Sequence, residues 1–262
     1  MTRSLPAMHA LGAALLLAIA GTAGAQDIDH VSKDISIGAG QAAGNLDTVS
    51  GDITLGEHAR VGTINGVSSD VRMGQQVTAG DIDTVSGDLR AGSGSRLGDL
   101  QTVSGDITLA PDVGAKRVET VSGDVRFDGK AVVGSVQTVS GDVFSGSGGR
   151  IGGDIHTVSG AIGLVANDVS GSVETYTGNV TVGLGSHVHG GLRVRKPNNH
   201  NIGLNISIAP RAPRIIIGPN AVIDGPLVFE HEVKLYVHSS ARVGAITGAT
   251  AVRFSTPVAP AN

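Results

Sequence analysis

A column of aspartates is the most prominent set of residues that could do chemistry in this sequence. They recur at one constant interval, at Asp34, Asp52, Asp70, Asp88, Asp106, Asp124 and Asp142. Carboxylates stacked about 4.8 Å apart would repel one another by on the order of 1 kcal/mol even in water. A cation such as Ca²⁺ would relieve this repulsion. Backbone N–H donors at the S-G-D corner would also relieve it, as would Arg72, Arg90 and Arg126, two residues further on.

The calcium-binding nonapeptide pattern Gly-Gly-x-Gly-x-Asp is absent from the sequence. We therefore predict a structural role for the aspartates and assign no metal site and no cofactor. The residues that would form a cation ladder, if one exists, are Asp52, Asp70, Asp88, Asp106, Asp124 and Asp142.

The histidines His187 and His189 form the second candidate, because both project from the same side of a predicted strand in the segment SHVHG. His200 follows nearby in the sequence. A zinc site needs three or four protein ligands, and the sequence offers no obvious third ligand. We interpret these histidines as exposed side chains. The alternative is a catalytic site built around the three of them.

Threonines form a second column, since they open the pentapeptide TVSGD in most repeats. They lie at Thr48, Thr84, Thr102, Thr120, Thr138, Thr157 and Thr175. The column resembles the flat threonine arrays of ice-binding solenoids. Ordinary cross-strand stacking of threonines explains it as well, and the charged residues close by favour that explanation.

A short basic run, Arg193, Arg195 and Lys196, could contact an anionic polymer or could be a solvated loop. Aromatic residues are not interleaved with these bases, which argues against binding of single-stranded nucleic acid. We therefore predict no nucleic-acid partner.

An internal repeat positions all of these residues. The pentapeptide TVSGD and its variants begin at residues 30, 48, 66, 84, 102, 120, 138, 157 and 175. This is an 18-residue repeat in which one unit is longer by a single residue, which we attribute to an insertion near Gly152 and Gly153. Repetition at a fixed phase indicates a solenoid whose coils each bury a face against their neighbours.

Each unit divides into three segments of six residues. Numbered from the start of the pentapeptide, positions 2, 8 and 14 carry apolar or small residues, as in Val103, Leu109 and Ala115. Positions 6 and 17 are also apolar. We predict an all-β, parallel β-solenoid (β-helix) with one triangular coil per repeat. The valines of position 2, including Val103 and Val121, are predicted to stack in its core.

Three regions follow from this reading: a signal peptide (1–25), a nine-coil repeat solenoid (26–192) and a less regular C-terminal part (193–262). In the last part Ile217 and Ile223 lie six residues apart, as do Val237 and Val243. We predict three or four further coils there. The Pro/Ala tail cannot pair as a strand and would cap the open edge.

Residues 1–25 have the pattern of a secretory signal. Arg3 supplies the positive charge, residues 11–20 are apolar, and a small-x-small site ends at Ala25. The apolar run is too short to span a bilayer. We predict a periplasmic or extracellular protein whose mature chain lacks a transmembrane segment. The chain has no cysteine, which removes disulfides, lipid attachment and thiol chemistry from consideration.

Charge is distributed unevenly along the chain. Residues 26–192 carry 20 acidic and 10 basic side chains, whereas residues 193–262 carry 3 acidic and 8 basic side chains. Such asymmetry bears on association with partners. It favours antiparallel or head-to-tail contacts between copies in a weak, salt-sensitive oligomer.

The VSGD units followed by alternating apolar residues resemble the bacterial adhesin family of β-strand repeats, over about two-thirds of the chain. The segment 215–246, which begins IIIGPNAVIDG, resembles the coils of bactofilins, which are polymer-forming β-helical cytoskeletal proteins. Bactofilins are cytoplasmic, and the export signal here departs from that pattern. The resemblances imply a β-helix and an ability to assemble.

These observations predict a non-catalytic envelope protein, a rigid rod with a structural, adhesion or assembly role. Its expected partners are other copies of itself, or an envelope polymer or protein. The alternative function is a carbohydrate-active enzyme or a hexapeptide-type acyltransferase with a site near His187, His189 and His200. Such sites are usually built by long protruding loops, and the sequence between residues 30 and 192 has none.

Overall fold

The computed structural model describes residues 25–197 and 212–260. These residues form an all-β solenoid of parallel strands and contain no helix. Accordingly, the described part of the chain has no helix that is long and apolar enough to cross a membrane. The signal peptide up to residue 24, and His200, lie outside the described residues. The predicted fold class is confirmed.

Each coil contributes three short segments, and each segment alternates between the interior and solvent. In Ile53–Leu55, for example, both end residues are buried and Thr54 is exposed. The first face is a sheet of 12 parallel strands. Its strands are Ile35–Ile37, Ile53–Leu55, Val71–Met73, Leu89–Ala91, Ile107–Leu109, Val125–Phe127, Val143–Ser145, Ile162–Leu164, Val180–Val182, Arg214–Ile217, Lys234–His238 and Ala251–Phe254.

The second and third faces form a single 17-stranded parallel sheet that continues around a corner. Two strands run through that corner, Gly114–Thr120 and Val132–Thr138. On the second face lie Arg150–Ile151, Asp168–Val169, His187–Val188, Val222–Ile223 and Arg242–Val243. On the third face lie Ile28–His30, Leu46–Thr48, Ile64–Ser68, Ile82–Ser86, Asp99–Ser104, Ile155–Thr157, Val173–Thr175, Leu192–Val194, Leu227–Phe229 and Ile246–Thr247.

The core consists of columns of equivalent residues from successive coils. On the first face Ile107 pairs with both Leu89 and Val125, each one repeat length away, and all three are buried. Position 8 is buried in every repeat, as predicted, from Ile37 to Val182. The interior of this rod is therefore a stack of aliphatic layers, in which each residue packs against its counterparts above and below.

The prediction for position 2 is wrong. The valines of this column are exposed to solvent, Val103 by 46% and Val121 by 43% of their surface. The preceding threonines are inside, and Thr102 and Thr120 are at most 5% exposed. Side chains alternate along a strand, so a buried position 1 directs position 2 outward. The third face is closed by positions 17 and 1, with Leu100 and Val118 fully buried.

The prediction for position 14 needs one correction. Val169, and not Ser170, occupies the core next to Ile151. Val136 pairs with Ile155, one residue beyond the repeat length, as expected from the insertion near Gly152. However, Ile151 pairs with Val169 at the ordinary repeat length. The corner before Val169 is thus one residue shorter, which compensates for the insertion in the previous coil.

The same columns continue past residue 192. Val180 pairs with Ile215, and Leu192 pairs with Leu227, in both cases at nearly twice the repeat length. Ile215 then pairs with Leu235, and Leu227 with Ile246. The described strands that follow residue 212 therefore stack on the earlier coils in register. Three first-face strands belong to this later part: Arg214–Ile217, Lys234–His238 and Ala251–Phe254.

Candidate functional site

The aspartate column lies at the corner that leads into the first face, and each carboxylate is bonded to the next coil. Asp88 Oδ1 accepts a hydrogen bond from the backbone N–H of Asp106 at 3.0 Å, and Asp106 Oδ1 accepts one from Asp124 at 2.9 Å. The pattern runs from Asp34 to Asp142, with N···O distances of 2.7 to 3.3 Å. The donors are backbone N–H groups of the following coil, whereas the sequence suggested N–H groups of the S-G-D corner to which each aspartate belongs.

Arginines supply positive charge to part of this column. Arg72 lies 2.8 Å from Asp52 and 2.6 Å from Asp70, and Arg90 lies 2.7 Å from Asp88. Arg126 pairs instead with Asp128, at 2.8 Å. The amide of Asp106 lowers the pKa of Asp88, and Arg90 and Arg72 lower it further, against an opposing effect of desolvation. Protein groups therefore stabilise the negative charge of Asp88.

The threonine column is buried, which removes the ice-binding interpretation. Thr138, Thr157 and Thr175 are at most 4% exposed. Their hydroxyl oxygens accept hydrogen bonds from the glycine N–H three residues later, at 3.0–3.1 Å. A threonine array that faces the interior cannot present its hydroxyls to an ice surface.

The exposed valines of position 2 form a straight column on the outside of the rod, which we call the valine stripe. Its members are Val31, Val49, Val67, Val85, Val103, Val121, Val139 and Val158. They are eight of the thirteen large apolar side chains that are exposed in the described residues. Most of the exposed large apolar side chains in the described residues therefore lie on this one line.

A shallow groove separates the valine stripe from a parallel column of polar side chains at position 18. That column includes Asp47, Asn65, Asp83, Gln101 and Glu119. Burial raises the pKa of Asp83, and the negative charges of Asp81 and Asp99 raise it further. The groove therefore has one apolar wall and one polar, acidic wall along the N-terminal coils.

Further along the rod, a polar cleft of about 850 Å³ lies on the other side of this polar column, away from the valine stripe. His156, Glu174 and Arg195 lie in it, with Arg195 Nε 2.7 Å and His156 Nε2 3.8 Å from Glu174 Oε1. The pairing with Glu174 raises the pKa of Arg195. Arg193 also lines the cleft. The basic run predicted from sequence is therefore partly neutralised by an acidic residue of the preceding coil.

The histidine pair is brought next to two aspartates. His187 and His189 lie with ring centroids 3.9 Å apart. His187 Nε2 is 2.7 Å from Asp224 Oδ2, and His189 Nε2 is 2.9 Å from Asp168 Oδ1. Asp168 pairs directly with His187 in the strand register, and Ile223 pairs with Val188. Asp168 thus comes from the coil before the histidines, and Asp224 from the coil after them.

Sequence reasoning missed both aspartates. Asp224 follows a strand that pairs with the histidine strand at nearly twice the repeat length, so counting single repeats could not identify it. Asp168 precedes His187 by one residue more than the repeat length, a spacing that could have identified it once the short corner was recognised.

Comparisons with protein-family models, with curated proteins and with solved structures find no match to this chain.

Proposed function

We propose that this protein is an exported, non-catalytic rod of the cell envelope that assembles by lateral contact between copies. The export signal in residues 1–25 and the resemblance of residues 215–246 to bactofilin coils support the location and the tendency to assemble. The observation that carries the proposal is the valine stripe.

The stripe is long, straight and regular. Successive coils stack about 4.8 Å apart, so the seven steps from Val31 to Val158 span about 34 Å. Large contiguous apolar patches on a protein surface usually mark a contact site. The valines are only partly exposed, and no member of the column carries a charge. This surface has the composition of an interface core.

A second copy fits the stripe better than an irregular partner does. It offers the same apolar column with the same axial repeat, so side chains of two stripes can interdigitate along their whole length. The polar wall carries Asp29, Asp47 and Asp83 near the N-terminal end and Glu119 and Glu174 further along, and its base, Arg193, lies near the C-terminal end. An antiparallel arrangement therefore brings unlike charges together.

Sedimentation equilibrium of the mature chain tests this proposal. We expect weak association at tens of micromolar, which decreases as salt screens the exposed charges over about 8–10 Å. The double variant Val103→Asp/Val121→Asp should remain folded and monomeric, because it places two carboxylates in the middle of the stripe. The matched control is Val132→Asp, since Val132 is an exposed valine outside the stripe.

A wild-type chain that stays monomeric at 200 µM in low salt would refute the assembly role. Association of the Val103→Asp/Val121→Asp variant with wild-type affinity would also refute it. Export is tested separately by N-terminal sequencing of the chain purified from the native host. The first residue should be Gln26.

A further inference from the structure

The second face carries a cluster of imidazole and carboxylate groups that the proposed assembly does not use. His187, His189 and Asp224 place their donor atoms within 4.8 Å of one another. We propose that these three side chains bind one divalent transition-metal ion, with Zn²⁺ as the representative ion, and that Asp168 orients one of the ligands.

The distances fit a common metal ion. Donors bound to one zinc at about 2.0–2.2 Å in tetrahedral geometry lie roughly 3.2–3.6 Å apart. His189 Nδ1 and Asp224 Oδ2 are 3.4 Å apart, within this range. His187 Nε2 and Asp224 Oδ2, at 2.7 Å, must separate by somewhat less than 1 Å. Both side chains are partly exposed, so a small rotation suffices.

Asp168 determines which nitrogen of His189 faces the metal. Its Oδ1 lies 2.9 Å from His189 Nε2, while Nδ1 of the same ring faces Asp224. A carboxylate that accepts the Nε2–H bond leaves Nδ1 as the lone-pair donor. This is how carboxylates commonly orient histidine ligands of metals. One ring therefore has its metal-facing and its supporting nitrogen already assigned by the fold.

The donor types select the class of ion. Two imidazole nitrogens and one carboxylate suit zinc and other transition metals, whereas Ca²⁺ and Mg²⁺ require mainly oxygen ligands. Three protein ligands on an exposed surface leave a coordination position that faces solvent. This distinguishes the cluster from the aspartate column, which offers carboxylates alone and uses them to bind backbone amides.

The position in the fold suggests what the ion does. The histidines lie in one coil, and Asp224 follows the strand Val222–Ile223 of the adjacent coil, which comes from much further along the chain. A metal ion bound to all three would cross-link these two coils. Because the unfolded chain does not hold this site together, binding should stabilise the folded state.

The experiment uses the mature chain without a histidine tag. Titration with ZnCl₂ followed by isothermal calorimetry should show one site, and a large excess of Zn²⁺ should raise the melting temperature by several degrees. His187→Gln, His189→Gln and Asp224→Asn should each lose the calorimetric signal and the thermal shift. Asp168→Asn should keep the single site with affinity reduced 10- to 100-fold.

The matched control is His156→Gln, because His156 also lies near a carboxylate, Glu174, but away from the cluster. This variant should bind Zn²⁺ as the wild type does. Co²⁺ provides a second readout, since the intensity of its visible absorption bands distinguishes a four-coordinate protein site from the hydrated ion. All variants are first compared without metal by circular dichroism, so that a folding defect is recognised.

Three results would overturn the site. They are the absence of Zn²⁺ binding at 1 mM, equal binding by the wild type and the three ligand variants, or an equal thermal shift with Ca²⁺. Unchanged affinity in Asp168→Asn would contradict the orienting role of that residue. None of these results depends on whether the rods associate through the valine stripe.

Discussion

The assignment of inner and outer columns can be tested with one substitution at two neighbouring valines of the third face. Val118 is fully buried on the third face, where it pairs with Leu100 and Val136 in the neighbouring coils. Val121 follows three residues later and is 43% exposed. Replacement of each by aspartate introduces the same group on opposite sides of one sheet.

The structure predicts very different costs. Val118→Asp loses about 1.5–3 kcal/mol of apolar burial. It also places a carboxyl group without a partner between two aliphatic residues, so the total should exceed about 4 kcal/mol. Val121→Asp keeps its carboxylate in water and loses only part of the burial, about 1 kcal/mol. Repulsion from Glu119, on the same side of the strand, adds a few tenths of a kcal/mol.

Chemical and thermal denaturation at low micromolar concentration measure the difference without a contribution from association. With a Tm change of about 2–4 °C per kcal/mol for a chain of this size, Val121→Asp should lower Tm by only a few degrees. Val118→Asp should lower it by about 10 °C or more, or should unfold the coils around it. Equal losses in the two variants, or a larger loss in Val121→Asp, would refute the described alternation of this strand.

Two further predictions concern the contacts between coils. Asp106→Asn keeps an acceptor oxygen for the Asp124 amide and should cost less than about 1 kcal/mol, whereas Asp106→Ala leaves that amide without its partner and should cost about 1–3 kcal/mol. EDTA should not change the melting curve of either variant. A Ca²⁺-dependent rise of many degrees in the melting temperature would contradict the structural role of the column. Gly123→Ala should be strongly destabilising, because the added Cβ would overlap the carbonyl oxygen of Gly105 in the preceding coil. Gly114→Ala is the matched control, since its Cβ would meet nothing within 4 Å, and equal melting temperatures for the two alanine variants would contradict the close stacking of these corners.

Much of the fold could be predicted because a solenoid repeats one local solution. The 18-residue period, the parallel stacking and the buried column at position 8 all follow from counting residues. The aspartates at fixed spacing likewise had to stack, and the structure adds only which amide each carboxylate binds. The same pattern of residue types recurs in each coil and determines these features, so the sequence contains the pattern many times.

The side on which a column lies could not be obtained by counting. Valine at position 2 looks like core, and threonine at position 1 looks like surface. Side chains alternate along the strand from a buried residue such as Leu100 or Val118. As a result the threonine faces the interior and the valine faces solvent. The buried hydroxyls of Thr48, Thr84 and Thr102 have no hydrogen-bond partner in the described residues. Those of later coils accept a hydrogen bond from a glycine N–H in the corner, as in Thr138 with Gly141 at 3.1 Å. That partner is available only after the corner has folded.

The sequence by itself determined the repeat, its period and the stacking of like residues, because these depend on interactions that recur at a constant separation. Tertiary structure alone decided the valine stripe and the cluster of His187, His189 and Asp224. The stripe depends on which of the alternating positions along the strand faces the interior. The cluster depends on the pairing of His187–Val188 with Val222–Ile223, at a separation that the 18-residue repeat does not predict.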